Sequence, residues 1–359
     1  MNEAFDGRSF SRRSMLTGTL AAAAAVGATL VPGGAVARAT ASKYPFPTGK
    51  NLTVLVTGDA GTGAAGQLAV AEAAKKLFAG EQLSLAIGLG DNIYEDGAET
   101  PDDDEFGTKF EVPNTGLDVP WLMALGNHDN SLIIPGDGSW LEKGNNEVGY
   151  HARSPRWWMP SRYYSVALPA NDPIVEFFVL DLNPLCSYIP QILNYWAPNG
   201  PYMTGQREWL RQSLASSPAK WKITCNHFSY IANGPHGNAA AYDGVPALLP
   251  HANGTYAKDF FDQEVLGRVP ILLAGHDHSQ QVLTPTAATK GAYQIVSGAA
   301  AKSVGGQSRI TNPALYQDFS NLGFMVLDIS PSSVAVRVYT VDIPSATATL
   351  AFQQQLAGT

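Results

Sequence analysis

The sequence of 359 residues is poor in cysteine, in positive charge and in long apolar runs. Two cysteines are too few for a small scaffold that depends on disulfide bonds. Lysine and arginine number 23 against 31 aspartates and glutamates, and the formal net charge of -8 argues against a nucleic-acid partner. Because 45% of the residues are apolar, the chain can still form a large core. Any anionic ligand must therefore be attracted by local charge.

The longest apolar run lies near the N-terminus, where it predicts an export signal. Arg12 and Arg13 precede an alanine-rich run over residues 20–31, and small residues suited to signal cleavage follow up to Ala39. Paired arginines in this position are typical of twin-arginine signals, although an ordinary secretory signal and an uncleaved anchor are alternatives. The run is shorter than the roughly 20 residues that span a membrane. We expect residues 1–39 to direct export to the periplasm or beyond, without a stable membrane anchor after cleavage.

Strand-like apolar runs alternate with segments of helical periodicity from residue 40 to residue 359. A strand at 52–56, a helix at 64–78 and a strand at 84–87 predict a βαβ unit with parallel strands. Further strands are expected at 121–125, 163–168, 174–180, 221–225, 271–274, 293–296, 323–329 and 334–341, and further helices at 206–216 and 258–266. No repeat or linker interrupts this order. The sequence therefore predicts one α/β domain, residues 40–359, with two packed sheets under covering helices.

Five short polar segments follow strand-like runs and contain residues that bind metals in proteins. They are Gly58-Asp59-Ala60-Gly61, Gly90-Asp91-Asn92-Ile93-Tyr94, Gly126-Asn127-His128-Asp129, Asn226-His227 and Gly275-His276-Asp277-His278. Taken singly, a residue such as Asp59 fits a helix cap, Tyr94 fits a core aromatic, and the segment at 126–129 fits an ordinary turn. Loops at the carboxyl ends of strands converge at one rim of a sheet, so we expect all five segments to meet.

The ligand atoms in these segments divide into two sets that share one carboxylate. A set of two carboxylates, a phenolate and an imidazole suits iron(III) and consists of Asp59, Asp91, Tyr94 and His278. A softer set suits divalent iron, zinc or manganese and consists of Asn127, His227 and His276, with Asp91 as the bridge. The sequence therefore predicts two adjacent metal ions.

These motifs resemble those of the metallophosphoesterase superfamily and, within it, the purple acid phosphatases of the small single-domain type that includes tartrate-resistant acid phosphatase. The similarity spans residues 51–342 and includes the segments 156–164, 180–186 and 206–210. Many members of the superfamily have a histidine ligand two residues after the first aspartate, where this chain has Gly61. In purple acid phosphatases a tyrosine replaces that ligand, and Tyr94 stands at its position. Near His227 the chain departs from the usual pattern, which changes the expected shape of the substrate pocket.

The resemblance implies a fold, an activity and cofactors. The fold is the four-layer metallophosphoesterase sandwich, in which two mixed β-sheets are flanked by helices. The activity is that of an acid phosphatase, which hydrolyses phosphate monoesters at acidic pH by in-line attack of a metal-bound hydroxide. One site would hold Fe(3+), and the other would hold a divalent ion of iron, zinc or manganese. A small phosphorylated substrate is the expected partner.

Two histidines outside the ligand sets are candidates for catalysis. His128 follows Asn127, so it is available to contact the phosphate or to protonate the leaving group, and Asp129 could orient it. His236 resembles a substrate-facing histidine of the tartrate-resistant type, and a solvated loop histidine is its alternative. A phosphodiesterase or nucleotidase on the same metals remains a competing function. A non-catalytic exported metal-binding or phosphate-binding protein is less favoured, because it would not need His128.

Two further features remain open from the sequence. Cys186 and Cys225 can pair after export, but Cys225 lies in a strand-like run, where a buried free thiol is favoured. The stretches 183–203 and 235–256 are rich in proline, glycine or asparagine and predict long loops. We expect the second loop to form a wall of the pocket, because it follows His227.

Overall fold

The computed structural model describes residues 44–189, 195–306, 308 and 311–356, so the predicted export signal lies outside the described residues. The strands are β1 Leu52–Thr57, β2 Leu85–Leu89, β3 Trp121–Ala124, β4 Trp157–Trp158, β5 Tyr164–Leu168, β6 Val175–Val179, β7 Trp221–Cys225, β8 Ile271–Ala274, β9 Gln280–Leu283, β10 Tyr293–Ser297, β11 Ala314–Asp318, β12 Gly323–Ile329, β13 Val334–Asp342 and β14 Thr347–Leu356. The α-helices are α1 Ala65–Phe78, α2 Asn145–Tyr150, α3 Asn183–Cys186, α4 Pro201–Ser216 and α5 Thr255–Phe260. Short 3-10 helices cover His128–Asn130, Leu141–Gly144 and Tyr242–Gly244, and π-helical turns cover Gly107–Glu111 and Phe261–Val265.

The strands form two seven-stranded sheets with the orders β14-β13-β12-β1-β2-β3-β4 and β11-β9-β10-β8-β7-β6-β5. In the first sheet β1, β2, β3 and β4 are parallel, whereas β12 is antiparallel to β1 and to β13. In the second sheet β6, β7, β8 and β10 are parallel, and β5 and β9 are antiparallel to their neighbours. The predicted fold class, two mixed sheets flanked by helices, is confirmed.

Successive side chains along the strands of the second sheet point to opposite faces and belong to two separate apolar clusters. Phe177 points into the cluster shared with the first sheet, and its neighbour Phe178 points into a cluster with helix α4. Leu273 and Leu272 divide in the same way. Helix α1 covers the opposite face of the first sheet, against β12, β13 and β14. Strand β2 is buried along its whole length and its sequence is a continuous apolar run, as expected for a parallel strand covered on both faces. Strand β6 is equally buried, but its apolar run is interrupted by Glu176.

The irregular stretches are more ordered than the sequence predicts. Helix α4 begins at Pro201 instead of at residue 206, and a proline in the first turn of a helix costs no hydrogen bond. Helix α3 also lies inside the stretch predicted as a loop, and the second predicted loop contains the turn Tyr242–Gly244. The strands that the sequence did not reveal are β4, β9, β11 and β14. Among the described residues no helix is long and apolar enough to cross a membrane.

Both cysteines are free thiols buried in the core. Burial raises the pKa of Cys186 well above its usual value, and it also raises the pKa of Cys225. Each thiol therefore stays protonated and behaves as a small apolar side chain. The alternative in which the two cysteines pair is wrong for this structure.

Candidate metal centre

The five polar segments meet at one rim, where parallel strands of both sheets end. Asp59, Asp91 and Asn127 follow β1, β2 and β3 of the first sheet. His227 follows β7 of the second sheet, and the segment 275–278 follows β8. Backbone hydrogen bonds join these segments, because the Asp59 N–H donates to the Gly90 carbonyl at 3.0 Å and the Gly275 N–H donates to the His227 carbonyl at 3.0 Å. The structure thus brings the seven predicted ligands together.

The first set of ligand atoms converges on a single point. The Tyr94 hydroxyl donates to Asp59 Oδ1 at 3.1 Å and lies 3.2 Å from His278 Nε2. His278 Nε2 is 3.4 Å from Asp59 Oδ1. Ligand atoms of Asp59, Asp91 and His278 all lie within 4.8 Å of one another. Four side chains from three loops therefore surround a space of the size that one cation needs.

The second set surrounds His227 Nε2. Asn127 Oδ1 lies 2.8 Å from this nitrogen, and His276 Nδ1 lies 3.1 Å from it. Asp91 Oδ1 is 3.4 Å from the same nitrogen. Since Asp91 also belongs to the first set, its carboxylate lies between the two groups, in the position of a bridging ligand.

The chemistry of this second set fits a cation. His227 Nδ1 donates to the Leu89 carbonyl at 2.8 Å, so Nε2 of the neutral ring carries a lone pair. The Asn127 amide nitrogen donates to the Gly136 carbonyl at 2.9 Å, so its oxygen is the atom that faces His227. His227 Nε2 and Asn127 Oδ1 are therefore both acceptors, and at 2.8 Å they need a positive charge between them. A proton would satisfy one such pair, whereas a metal ion satisfies all the converging acceptors at once.

Three of the predicted ligands have a positive φ, a backbone conformation that residues with a side chain rarely adopt. Asp59, Asp91 and His276 have φ values of 58°, 54° and 66°. Each residue in this left-handed region costs about 1–3 kcal/mol, and such residues cluster at functional sites. Hydrogen bonds hold them there, because the His276 N–H donates to Asp59 Oδ2 at 2.9 Å and the His128 N–H donates to Asp91 Oδ1 at 2.9 Å. The strain thus coincides with the positions that aim the predicted ligands.

The geometry at Gly61 explains why no histidine stands there. A Cβ atom at this position would lie 1.8 Å from the Asn92 carbonyl oxygen. The Tyr94 N–H donates to the Gly61 carbonyl at 2.9 Å, so the tyrosine loop packs directly on residue 61. Only glycine allows this approach, which brings the Tyr94 hydroxyl next to Asp59 and His278.

The protein groups around the predicted ligands shift their pKa values in directions that suit metal binding. Burial raises the pKa of Tyr94 well above its usual value, and the Asp59 and Asp91 carboxylates raise it further, so the phenol loses its proton only to a strong cation. Burial would also raise the pKa of Asp91, but His227, His128 and the His128 N–H lower it on balance. Burial and the neighbouring histidines lower the pKa of His276 well below its usual value, which favours the neutral ring that binds metals.

His128 lies beside the first set, on the Tyr94 side. Its Nδ1 is 2.5 Å from the Glu95 carbonyl oxygen, and its ring centroid is 4.4 Å from that of Tyr94. This contact fixes the ring and leaves Nε2 for a ligand. The structure therefore places His128 next to the metal ligands, outside both sets.

Asp129 does not hold the His128 ring as the sequence suggested. Its buried carboxylate accepts backbone N–H groups at 2.7 Å to 3.0 Å, and these belong to Gly126, Asn92 and Ile93. Asp129 thus fixes the two loops that carry Asp91 and Asn127. The expectation was wrong because a short carboxylate beside a tight turn finds the nearer backbone donors first.

His236 packs against the second set. Its ring stacks on His276 with centroids 4.1 Å apart, and its Nδ1 lies 2.8 Å from Asp243 Oδ1. Burial lowers the pKa of His236, but the Asp243 carboxylate more than offsets this effect, so the pKa is raised overall. The solvated alternative does not describe this residue, because its side chain is only 27% exposed.

The sequence did not reveal Lys302, which lies over the proposed phenolate. Its Nζ is 3.5 Å from the centroid of the Tyr94 ring and 3.2 Å from a Glu95 carboxylate oxygen. Lys302 thus brings a positive charge to the edge of an acidic cluster. The sequence around Lys302 is rich in serine and glycine and contains no motif that would assign Lys302 to the site.

Comparisons with known proteins identify a family, related sequences and a shared fold. Residues 52–280 match the family model described as calcineurin-like phosphoesterase. Purple acid phosphatase 4 of Arabidopsis thaliana is 26% identical over 314 residues, which cover 84% of this chain and 84% of that protein. Tartrate-resistant acid phosphatase type 5 of Oryctolagus cuniculus is 25% identical over 268 residues, which cover 70% and 73% of the two chains. The solved structure of GAP50, the anchor in the inner membrane complex of Plasmodium, shares the fold with a TM-score of 0.64 at 18% identity, over 87% of this chain and 90% of that chain.

Proposed function

Because the chain belongs to the calcineurin-like phosphoesterase family, we propose that this metal-dependent phosphoester hydrolase is an acid phosphatase acting on phosphate monoesters. The observation that carries the proposal is the position of the Tyr94 hydroxyl, 3.1 Å from Asp59 Oδ1 and 3.2 Å from His278 Nε2. A phenolate in this set favours a trivalent iron, which distinguishes the purple acid phosphatases from relatives with a histidine after the first aspartate.

The two ligand sets support two different cations. Asp59, Asp91, Tyr94 and His278 would hold iron(III), whereas Asn127, His227 and His276 would hold divalent iron, zinc or manganese with Asp91 shared. Three anionic ligands against these two ions leave a local charge of roughly +2, which attracts a phosphate to an acidic protein. When bound, the ions supply Lewis acidity that activates water and neutralises phosphoryl oxygens, and iron(III) preserves this chemistry at acidic pH.

The chain's own histidines would assist the substrate. The Glu95 carbonyl fixes His128 through Nδ1, so Nε2 is the atom available to protonate the departing alkoxide. The Asp243 carboxylate fixes His236 in the same way, which leaves its Nε2 to contact a phosphoryl oxygen. His128 thus serves the leaving group, and His236 serves phosphate binding.

The decisive experiment combines a spectrum with paired assays. We expect purified protein to contain iron, to absorb visible light through the Tyr94 phenolate, and to hydrolyse an aryl phosphate monoester much faster than the matched diester below neutral pH. Tyr94→Phe should remove the visible band, and Tyr339→Phe, a tyrosine of β13, is the control. Preference for the diester would favour the phosphodiesterase alternative. Failure of the metal-loaded protein to cleave any phosphoester would favour a binding protein.

Export by the twin-arginine route is part of the proposal. Arg12 and Arg13 before the apolar run support it, together with the need to fold around metals before crossing a membrane. Replacement of both arginines by lysine should leave unprocessed protein inside the producing cell. Unchanged export of that variant would favour an ordinary secretory signal.

A further inference from the structure

We propose that an apolar loop beside the metal centre, residues 131–137, binds the hydrocarbon part of an amphiphilic phosphate monoester. This inference rests on the proposed function, because it names the substrate class of the same site. Three consecutive large aliphatic side chains of the loop face solvent, with Leu132 exposed by 56%, Ile133 by 70% and Ile134 by 60%. Three adjacent exposed aliphatic residues form a patch of the kind that marks a binding surface.

The apolar loop is held in this exposed conformation. The Asp137 carboxylate accepts the backbone N–H groups of Leu132 at 3.0 Å, Ile133 at 2.9 Å and Ile134 at 3.3 Å. The Gly136 N–H donates to the Ser131 hydroxyl at 2.8 Å and closes the loop. A preorganised surface loses little conformational entropy when a ligand covers it.

One end of the apolar loop touches the proposed catalytic residues. The Gly136 carbonyl accepts the Asn127 amide at 2.9 Å, and a Cβ atom built on Gly136 would lie 2.7 Å from His128 Nε2. His128 is the residue that we assign to the leaving group. An ester whose phosphate lies on the metal centre therefore directs its leaving group, and the carbon chain attached to it, toward this loop.

Tyr188 joins the apolar loop to the other side of the site. Its N–H donates to the Asp137 carbonyl at 3.1 Å, and its hydroxyl donates to Asp243 Oδ2 at 2.7 Å. Asp243 is the carboxylate that fixes His236. The Tyr188 side chain is 48% exposed, so its ring can form a second wall for a bound chain. The apolar loop is thus linked to both candidate catalytic histidines, through Gly136 to His128 and through Tyr188 and Asp243 to His236.

The charges around the apolar loop favour a single amphiphile over a bilayer surface. Residues 129–142 and 181–189 contain no lysine or arginine, whereas surfaces that dock on anionic membranes carry several. Three aliphatic residues also present far less area than a stable protein interface needs. Since these two segments carry no cation, an anion bound beside the apolar loop would be held by the metal centre. A molecule with one phosphate and one short hydrocarbon chain matches both features.

Calorimetric titration with n-alkylphosphonates tests this inference without turnover. Metal-loaded protein should bind methylphosphonate weakly, and its Kd should fall by up to about fourfold for each methylene added as far as octyl, below the micelle concentration. The double variant Ile133→Ser, Ile134→Ser should remove most of this dependence on chain length. The matched control is Leu350→Ser, because Leu350 on β14 is 47% exposed and should leave the dependence unchanged.

If the Kd of the parent protein does not change with the length of the alkyl chain, the inference is wrong. It is also wrong if the double variant keeps the dependence of Kd on chain length. If the double variant instead loses sedimentation with phosphatidylcholine vesicles while the phosphonate series is flat, the loop contacts membranes and the inference is wrong. Turnover of p-nitrophenyl phosphate is measured beside each titration. Chain-length-dependent binding without turnover refutes the proposed function alone, and normal turnover with a flat series refutes this inference alone.

Discussion

Two buried polar clusters lie side by side in this protein, and they differ in how their hydrogen bonds are balanced. In the arginine cluster, the Arg162 guanidinium donates to Asp181 Oδ2 at 2.7 Å and to Asn130 Oδ1 at 3.0 Å, and the Tyr202 hydroxyl donates to Asp181 Oδ2 at 2.8 Å. Gln206 completes it by donating to the Asp181 carbonyl at 2.8 Å. Each of these donors meets an acceptor. In the second ligand set of the metal centre, by contrast, the Asn127 and Asp91 oxygens face the lone pair of His227 Nε2 with no donor between them.

The difference separates a cluster that stabilises the fold from one that binds a ligand. Burial does not distinguish them, because Asp181, Asp59 and Asp91 are all almost inaccessible to solvent. The balance of donors does, since protein side chains supply every proton that the arginine cluster needs and leave the metal centre short of positive charge. Asn130 belongs to the arginine cluster and also donates to the Gly126 carbonyl at 2.8 Å, so the first cluster supports a loop of the second.

The largest effect is expected from Asp91→Ala. Since Asp91 belongs to both ligand sets, the variant should lose both metal ions and its activity should fall to background. Elemental analysis of the purified variant checks this, and Asp102→Ala on the surface is the control. A variant that still binds one full equivalent of metal would show that Asp91 is not the bridge.

His128→Ala should lower kcat by about 10²–10⁴-fold, because the leaving group would lose its proton donor. Metal content should remain at the parent level, since His128 belongs to neither ligand set. Steady-state kinetics and elemental analysis on the same sample separate the two effects. If the variant is purified without metal, the assignment of His128 to the leaving group is wrong.

Arg162→Met should lower the free energy of unfolding by about 3–5 kcal/mol, because the buried Asp181 carboxylate would lose its counter-charge. Urea denaturation of metal-free parent and variant measures this without a contribution from the ions. The control is Arg153→Met, which removes an exposed partner of Asp102 and should leave stability unchanged. An unchanged midpoint for Arg162→Met would mean that the arginine cluster does not stabilise the fold.

The smallest effect is expected at the thiols, one beside each cluster. Cys186 lies near Asp181, and Cys225 lies two residues before His227. Because burial raises the pKa of both, Ellman's reagent should modify neither in native protein and both after unfolding. Absence of thiols in unfolded, unreduced protein would reveal a disulfide.

The sequence predicted those parts of the molecule that depend on local pattern. Strands β1, β2, β3, β7 and β8 were predicted within about two residues, because burial on both faces produces apolar runs. Strand β9 was not predicted, because Gln280 and Gln281 are buried polar residues that interrupt the apolar pattern of a buried strand. Strand β14 was missed because its side chains are mostly exposed.

In the candidate site, the sequence identified the side chains that converge in the structure but not the residues around them. Asp59, Tyr94 and the histidines stand in recognisable motifs directly after strands. The contact of Lys302 with Glu95 joins residues 207 positions apart, and it depends on the paths of two loops that no local pattern encodes. The three N–H bonds of Asp137 likewise depend on a turn that only the folded backbone forms.

The predicted ligands come from two different sheets, with Asp59, Asp91 and Asn127 on one and His227, His276 and His278 on the other. Metal ions bound by residues of both sheets would cross-link the two sheets at this edge of the sandwich. Chelation should then lower the melting temperature and allow the two layers to separate more readily at this edge. Resistance to heat would accordingly report how fully a preparation has been loaded.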